Sequence, residues 1–244
     1  MELYDFIDQY VRESFEEERI LKTSPRGSVA RIRQKSSHRY YIFRRYNGSL
    51  PVYFSLLGKE CPYLPRIYEA AEGKQSAKDG SGGSKDMLVL EEYVVGDSLS
   101  DLLSCGPLTP QQTRRIALQL CRGLYVLHSL GWIHRDIKPD NVIVSAQRAV
   151  LIDFDAARTY DHSKTQDTQI LGTVGYAPPE QYGISETDYR ADIYSMGVLI
   201  NEMLTCQHPS KQLAGGRWGR IVSRCTMIHP NKRYHSVKEL MEAI

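Results

Sequence analysis

The sequence predicts an α+β protein, and three observations carry that reading. Short β-branched and aromatic runs sit early in the chain: Ile20-Leu21, Tyr40-Tyr41-Ile42-Phe43 and Met87-Leu88-Val89-Leu90. Apolar stripes at helical spacing dominate later, from Pro110 to Leu130 and from Asp192 to Met203. Between those stripes, Val142-Ile143-Val144 and Val150-Leu151-Ile152 read as a hairpin. Strands first and helices afterwards is the element order of an α+β chain.

Taken in order, residues 3 to 15 place Leu3, Phe6, Ile7, Tyr10 and Val11 at helical spacing with acids between them, an amphipathic helix. Such a stripe reads first as core packing and second as a docking face. Glu16, Glu17 and Glu18 then lead into the first strand at Ile20-Leu21. A second strand, Tyr40 to Phe43, ends at Arg44, and Arg45 should point to the opposite face. The segment from Gly48 to Gly58 carries Leu50, Val52, Phe54, Leu56 and Leu57 but no acid. Glu60 abuts Cys61-Pro62-Tyr63-Leu64-Pro65, which ends any helix there. Residues 73 to 86 are small and polar and read as a floppy hairpin loop. At Gly106-Pro107-Leu108-Thr109-Pro110 a helix opens, with Thr109 as N-cap and Pro110 at its first position. Ile116, Leu120, Leu124 and Leu127 line one face of it, and Gly131 stops it; His128 on it reads as structural. Asp192 opens the second long helix, which Ile193, Met196, Ile200 and Met203 bury. Thr205 to Gly219 should carry only a reduced helix. No internal repeat is visible.

Composition narrows the classes. With 244 residues, 41% apolar and 25% charged, the chain has the make-up of a soluble globular protein. A formal charge of +2 argues neither for nor against nucleic acid, but the lack of a basic stripe interleaved with aromatics argues against it as the partner. Five scattered cysteines (Cys61, Cys105, Cys121, Cys206 and Cys225) make no C-x-x-C pair and read as reduced thiols. No apolar run approaches membrane-spanning length, and the acidic N-terminus is no signal peptide. The expected setting is cytoplasmic, as a free protein or as the cytoplasmic domain of a longer one.

The chemistry concentrates in His134-Arg135-Asp136-Ile137-Lys138-Pro139-Asp140-Asn141, followed by Asp153-Phe154-Asp155. The hairpin between the two stretches would bring Asn141 and Asp153 to neighbouring ends. Magnesium takes oxygen ligands, one or two from protein and the rest from phosphate and water, and these two residues supply such a pair. Asp136, with no metal to hold, is left to accept a proton from an attacking hydroxyl. This constellation resembles the catalytic loop and metal-binding motif of the eukaryotic-like, Hanks-type serine/threonine protein kinases of bacterial type.

The resemblance implies a two-lobed protein kinase fold. Residues 1–17 would be an N-terminal helix, 18–92 a small antiparallel β lobe with one helix, and 93–244 a larger, mainly α lobe. ATP would lie in the cleft. Asp136 would be the base and Lys138 would neutralise the transferring phosphoryl. Asn141 and Asp153 would hold Mg²⁺, with Mn²⁺ the alternative, and Thr173 would hydrogen-bond Asp136 and Lys138. Around the nucleotide the family pattern places Gly27, Val29, Ile42, Arg44, Glu91, Glu92, Tyr93, Val94 and Ile143. Glu91 stands at the gatekeeper position, Glu92-Tyr93-Val94 at the adenine hinge and Ile143 beneath adenine. Arg135, Phe154, Asp155, Glu180, Asp192 and Arg233 take structural or regulatory roles: Arg135 to receive an anion from the activation segment, Asp192 to bond the catalytic-loop backbone, and Arg233 to anchor Glu180. Thr159, Ser163, Thr165 and Thr168 are the candidate phosphosites. Leu171-Gly172-Thr173-Val174-Gly175-Tyr176-Ala177-Pro178-Pro179-Glu180 matches the family's substrate-docking end, and Gln181-Tyr182-Gly183 resembles a bacterial group sharing the Asp-Phe-Asp variant.

The departures are specific. Lys22 and Ser24 stand where the first two glycines of the phosphate loop would be. Arg44 replaces the strand lysine, and the next helix lacks its partner glutamate. Arg44 pairing with Glu91 is the expected substitute. Asp155 replaces the usual glycine, and reads either as a stiffer segment with a local hydrogen bond or as a third metal-facing carboxylate. The implied function is ATP- and Mg-dependent phosphoryl transfer to serine or threonine of a protein. The alternative is a pseudokinase that binds nucleotide or acts as a signalling scaffold.

Overall fold

The computed structural model describes residues 2–75, 85–159, 175–182 and 187–244. The chain forms two compact units, Met1–Glu60 with Pro65–Val94, and Cys61–Leu64 with Val95–Ile244.

The first unit is a five-stranded antiparallel sheet in the order β1-β2-β3-β5-β4. Its strands are β1 (Phe15–Ser24), β2 (Gly27–Gln34), β3 (Tyr40–Asn47), β4 (Ile67–Gln75) and β5 (Lys85–Glu92). Helix α1 (Leu3–Ser14) packs on one face of this sheet. Ile7, Val11 and Phe15 join Ala30, Ile32, Phe43, Ala71, Leu88 and Leu90 in a single core. Each large side chain buried this way contributes about 1.5–3 kcal/mol. An ion pair from Asp8 to Arg45 at 3.0 Å adds a polar tie between helix and sheet.

Several sequence expectations need correcting here. Only Ile7 and Val11 of the five stripe residues are buried; Leu3, Phe6 and Tyr10 are exposed, because the stripe is wider than the face that meets the sheet. Strand β1 begins at Phe15, directly after the helix, and takes in Glu16 to Glu18. Acids are tolerated on this edge strand because Arg33 and Arg31 on β2 reach Glu16 and Glu18, at 3.0 and 3.1 Å. Strand β3 runs past Arg44 to Asn47, so Arg44 is mid-strand. The helix between β3 and β4, α2 (Val52–Leu56), is a stub of five residues. The ends of the expected loop 73–86 are strand: Gly73 to Gln75 belong to β4, and Lys85 and Asp86 to β5. Its middle, 76–84, lies outside the described residues.

Gly27 has a reason of its own. Strands β1 and β2 join through a two-residue turn, and the Ser24 Oγ accepts the Arg26 N–H at 3.2 Å. Gly27 then adopts φ +138°, and a Cβ there would lie 1.9 Å from the Arg45 carbonyl oxygen. The need for glycine arises inside the sheet, where backbone meets backbone.

The second unit is mainly helical. It contains β6 (Asp97–Ser98), α3 (Leu99–Ser104), α4 (Pro110–Ser129), β7 (Trp132–Ile133), β8 (Val142–Val144), β9 (Ala149–Leu151), β10 (Arg158–Thr159), α5 (Arg190–Thr205), α6 (Gly216–Cys225) and α7 (Val237–Ala243). Two small antiparallel sheets, β6-β8-β9 and β10-β7, bracket the loops between them. Thr109 caps α4 in a full capping box with Gln112, and Ile116, Leu120, Leu124 and Leu127 are buried. Helix α5 starts at Arg190, two residues before the expected Asp192, and is buried nearly all round because it is the centre of the unit. At Gly197 an added Cβ would lie 2.3 Å from Cys225 Cβ, so glycine sets the closeness of α5 and α6. The short stretch after α5 is organised by buried Asn201. Its amide donates to the carbonyls of Gln207 and Gln212, both at 2.8 Å, and its oxygen accepts the Ala214 N–H at 2.8 Å. No helix among the described residues is long and apolar enough to cross a membrane. All five cysteines are free, and burial pushes the Cys121 thiol up to about 12.

Substituting Gly27→Ala should therefore cost about 1–3 kcal/mol from the backbone angle alone. A urea midpoint unchanged from the parent chain would show that the Arg45 carbonyl is not the constraint.

Candidate active site

The loop after β7 is shaped by one carboxylate on α5. Asp192 is fully buried and accepts the backbone N–H groups of His134 and Arg135, each at 2.9 Å. His128 Nε2 on α4 meets the same carboxylate at 2.7 Å. Burial alone would raise the Asp192 pKa, but the His128 hydrogen bond and charge, with the backbone bonds, hold it below its ordinary value. Arg135 has φ +68°, an uncommon angle for a residue with a side chain. Asp192 fixes it on the N–H side, and Gln181 Nε2 donates to its carbonyl at 2.7 Å.

His134 is buried with it. Burial lowers its pKa against the opposing pull of Asp192, Asp136 and Asp153, so the ring stays neutral. The Asp136 amide donates to Nδ1 at 3.3 Å, which leaves the proton on Nε2, 3.3 Å from the Ile152 carbonyl. The edge of Phe154 closes on the ring at 5.6 Å between centroids.

Asp136 then projects from this fixed backbone. Its Oδ2 lies 2.9 Å from Lys138 Nζ and accepts from Asn141 Nδ2 at 2.9 Å. Asn141 Nδ2 also donates to the Asp136 carbonyl at 2.8 Å. Both amide protons of Asn141 are thereby committed, which orients its oxygen as the remaining ligand atom. The Asn141 carbonyl accepts the Ile152 N–H at 2.9 Å, fixing the residue that precedes Asp153. An amide oxygen and a carboxylate held at the two ends of one hairpin are the donor types a hard cation takes. Asp153 itself sits at φ +66°, and the Asp155 backbone N–H reaches its Oδ1 at 3.4 Å, a bond that does not involve the Asp155 side chain. Ile143 lies in β8 opposite Val150, half-buried.

Farther along, Arg233 is fully buried with all five N–H donors used. Two go to the Glu180 carboxylate, and three to the carbonyls of Met227, Arg190 and Ile228 at 2.8, 3.0 and 3.1 Å. Thr159 is exposed at the end of β10. Ser163, Thr165, Thr168 and Thr173 lie outside the described residues.

In the first unit, Ile42, Arg44 and Tyr46 alternate onto the sheet face opposite Phe43 and Arg45, with Val29 across from Arg44 and Glu91 across from Ile42. Arg44 Nε donates to Glu91 at 2.8 Å, and both are buried, at 4% and 3% exposure. Arg44 Nη1 also reaches the Tyr46 hydroxyl at 3.1 Å, which meets the Tyr53 hydroxyl at 3.0 Å. The expected pair is present. Its aromatic partners went unread in the sequence, although Tyr46 follows Arg44 at the strand period. Beyond Glu91, Glu92 accepts the Arg66 N–H at 3.2 Å, the Tyr93 ring meets Tyr40 at 5.8 Å between centroids, and Val94 is buried. His134 and Gln181 were quoted in the sequence motifs but given no role, since burial and its hydrogen-bond partners leave no mark in spacing.

Comparison with known proteins places the chain in a family. A family profile described as protein kinase domain matches residues 59–242. The serine/threonine-protein kinase PknB of Mycobacterium leprae is 38% identical over 152 residues, covering 61% of this chain and 24% of its own length. The probable serine/threonine-protein kinase PknB of Bifidobacterium longum is 36% identical over 61% of this chain and 22% of its own length. The serine/threonine-protein kinase pkn2 of Myxococcus xanthus is 39% identical over 53% of this chain and 16% of its own length. The chain thus spans about a quarter or less of the length of these curated relatives.

Two measurements probe the site. Glu91→Ala strands a buried guanidinium and should cost about 3–5 kcal/mol, whereas Arg44→Met with Glu91→Leu should cost less. Losses in urea unfolding that simply add would remove the pair as their common cause. For pH, His134 has a folded pKa below its unfolded value, so its contribution is intact above about 6.5 and is lost as pH falls toward the folded value. Asp192, also depressed, acts only at lower pH, below the unfolded carboxylate range. The melting temperature should therefore drop between pH 7.5 and pH 5.5, and His134→Gln should flatten that drop; equal slopes would discharge His134 from the role.

Proposed function

Because the chain belongs to the protein kinase domain family, we propose that it transfers the γ-phosphoryl group of ATP to a serine or threonine hydroxyl of a protein. The observation that carries this reading is the Asp136 carboxylate held between Lys138 Nζ and Asn141 Nδ2, each at 2.9 Å. In that position Asp136 orients the substrate hydroxyl and takes its proton as the oxygen attacks phosphorus. Lys138, on the same carboxylate, offers its charge to the phosphoryl oxygens as they leave the nucleotide. Asn141 Oδ1 and the Asp153 carboxylate are the groups to hold Mg²⁺, which supplies charge neutralisation on the phosphates when bound. The catalytic loop contributes positioning, through the backbone bonds from Asp192, and charge.

One observation favours a second reading, a pseudokinase. Arg44, in the slot where the family carries a phosphate-gripping lysine, already bonds Glu91 and Tyr46 inside the first unit. That guanidinium would serve the sheet in place of a nucleotide.

Incubation with radiolabelled ATP and Mg²⁺ decides between them. The parent chain should label itself or a general acceptor protein, and Asp136→Ala should fall by about a thousandfold, the order expected when general-base and positioning roles are lost together. Absence of label on both, with nucleotide binding retained in a thermal-shift assay, would make the pseudokinase reading the correct one.

A further inference from the structure

An open groove of about 500 Å³ runs along the outward face of α4, well within the second unit. Gln111, Arg115, Leu118 and Arg122 follow one another at intervals of four, three and four, one stripe of the helix, with Arg114 and Gln119 beside them. The lining contains three arginines and no acid. Among the described residues none of the three guanidiniums pairs with a side-chain carboxylate, and the first turn of α4 carries no acid either.

The cations are nonetheless held in place. Arg114 Nε donates to the Ile244 carbonyl at 3.1 Å, Arg115 Nη1 to the Ala146 carbonyl at 2.6 Å, and Arg122 Nη1 to the Tyr63 hydroxyl at 3.3 Å. Each bond uses one of five N–H donors, leaving a fixed fork with donors to spare. Gln119 is pinned on both sides, donating to the Gln147 carbonyl at 3.2 Å and accepting the Ala149 N–H at 2.8 Å. Preorganised, uncompensated guanidiniums in a concave lining bind carboxylates bidentately.

We infer that this groove docks an acidic peptide segment of a partner protein. The stripe from Gln111 to Arg122 is about 16 Å long at the helical rise. An extended segment of about five residues matches it. Leu118 at mid-groove gives an apolar contact between charged ones, which suits a segment with a hydrophobic residue among acids. The lining holds no aromatic on which nucleic-acid bases would stack, and a concave helix-side groove does not match a flat lipid surface.

The test is fluorescence anisotropy with a labelled peptide EDLEDE and its neutral counterpart QNLQNQ. The parent chain should bind the acidic peptide, release it as salt is raised, and ignore the neutral one. Arg115→Glu with Arg122→Glu should weaken binding about tenfold or more, and Arg115→Lys with Arg122→Lys should retain most of it. Arg122→Gln, whose anchor is a single tyrosine hydroxyl, serves if the charge reversal lowers the melting temperature, with loss in the same direction expected. Asp136→Ala should bind as the parent does, which separates this groove from phosphoryl transfer. Equal binding of both peptides, an affinity indifferent to the arginines, displacement of the peptide by duplex DNA or phosphatidylserine vesicles, or loss of binding in Asp136→Ala would each overturn the assignment.

Discussion

The Asp192 carboxylate is the constraint on which the catalytic loop depends. Two backbone amides three residues or fewer from Asp136 end on its two oxygens, and a third bond from His128 ties α4 to the same point. A buried carboxylate without such partners would cost several kcal/mol or take up a proton. With them, it stays charged and holds Arg135 at a backbone angle the residue would not choose alone. The backbone bonds that offset the burial of Asp192 are the same ones that hold Arg135 in its strained conformation.

The same logic runs through the other buried charges. Arg233 is tolerable at zero exposure because every one of its donors is matched, two of them by Glu180. Arg44 and Glu91 are matched to each other, and Arg44 also to the Tyr46 hydroxyl. In each case the charge is costly alone and neutralised in the set, so these sites specify arrangement more than they add stability. The first unit thereby keeps an ion pair at its centre although α2 is too short, and too lacking in acids, to supply one partner. The carboxylate comes from β5, one strand over from β3.

Much of this was legible in the residues. The α4 cap was readable from Thr109-Pro110, because capping chemistry is local. The hairpin 142–151 followed from β-branched runs, and the Arg44–Glu91 pairing from a departure that demanded compensation. What escaped was non-local. The stub length of α2, the β-structure at Glu16 to Glu18, and the Asn201 clamp on the segment after α5 depend on neighbours far away in sequence. Helix α6 was unread because its apolar face is short and its ends carry no side-chain cap.

By itself, then, the sequence determined the element order, the cap and turn positions, and which residues, Asp136, Lys138, Asn141 and Asp153, are proposed for phosphoryl transfer. These are properties of neighbouring residues and of their chemistry. Only the tertiary structure decided the protonation of His134, the committed amide of Asn141, the saturation of Arg233 and the reason Gly27 is glycine. Burial and hydrogen-bond partners arise from chain segments tens of residues apart, and no local pattern encodes which of them will meet.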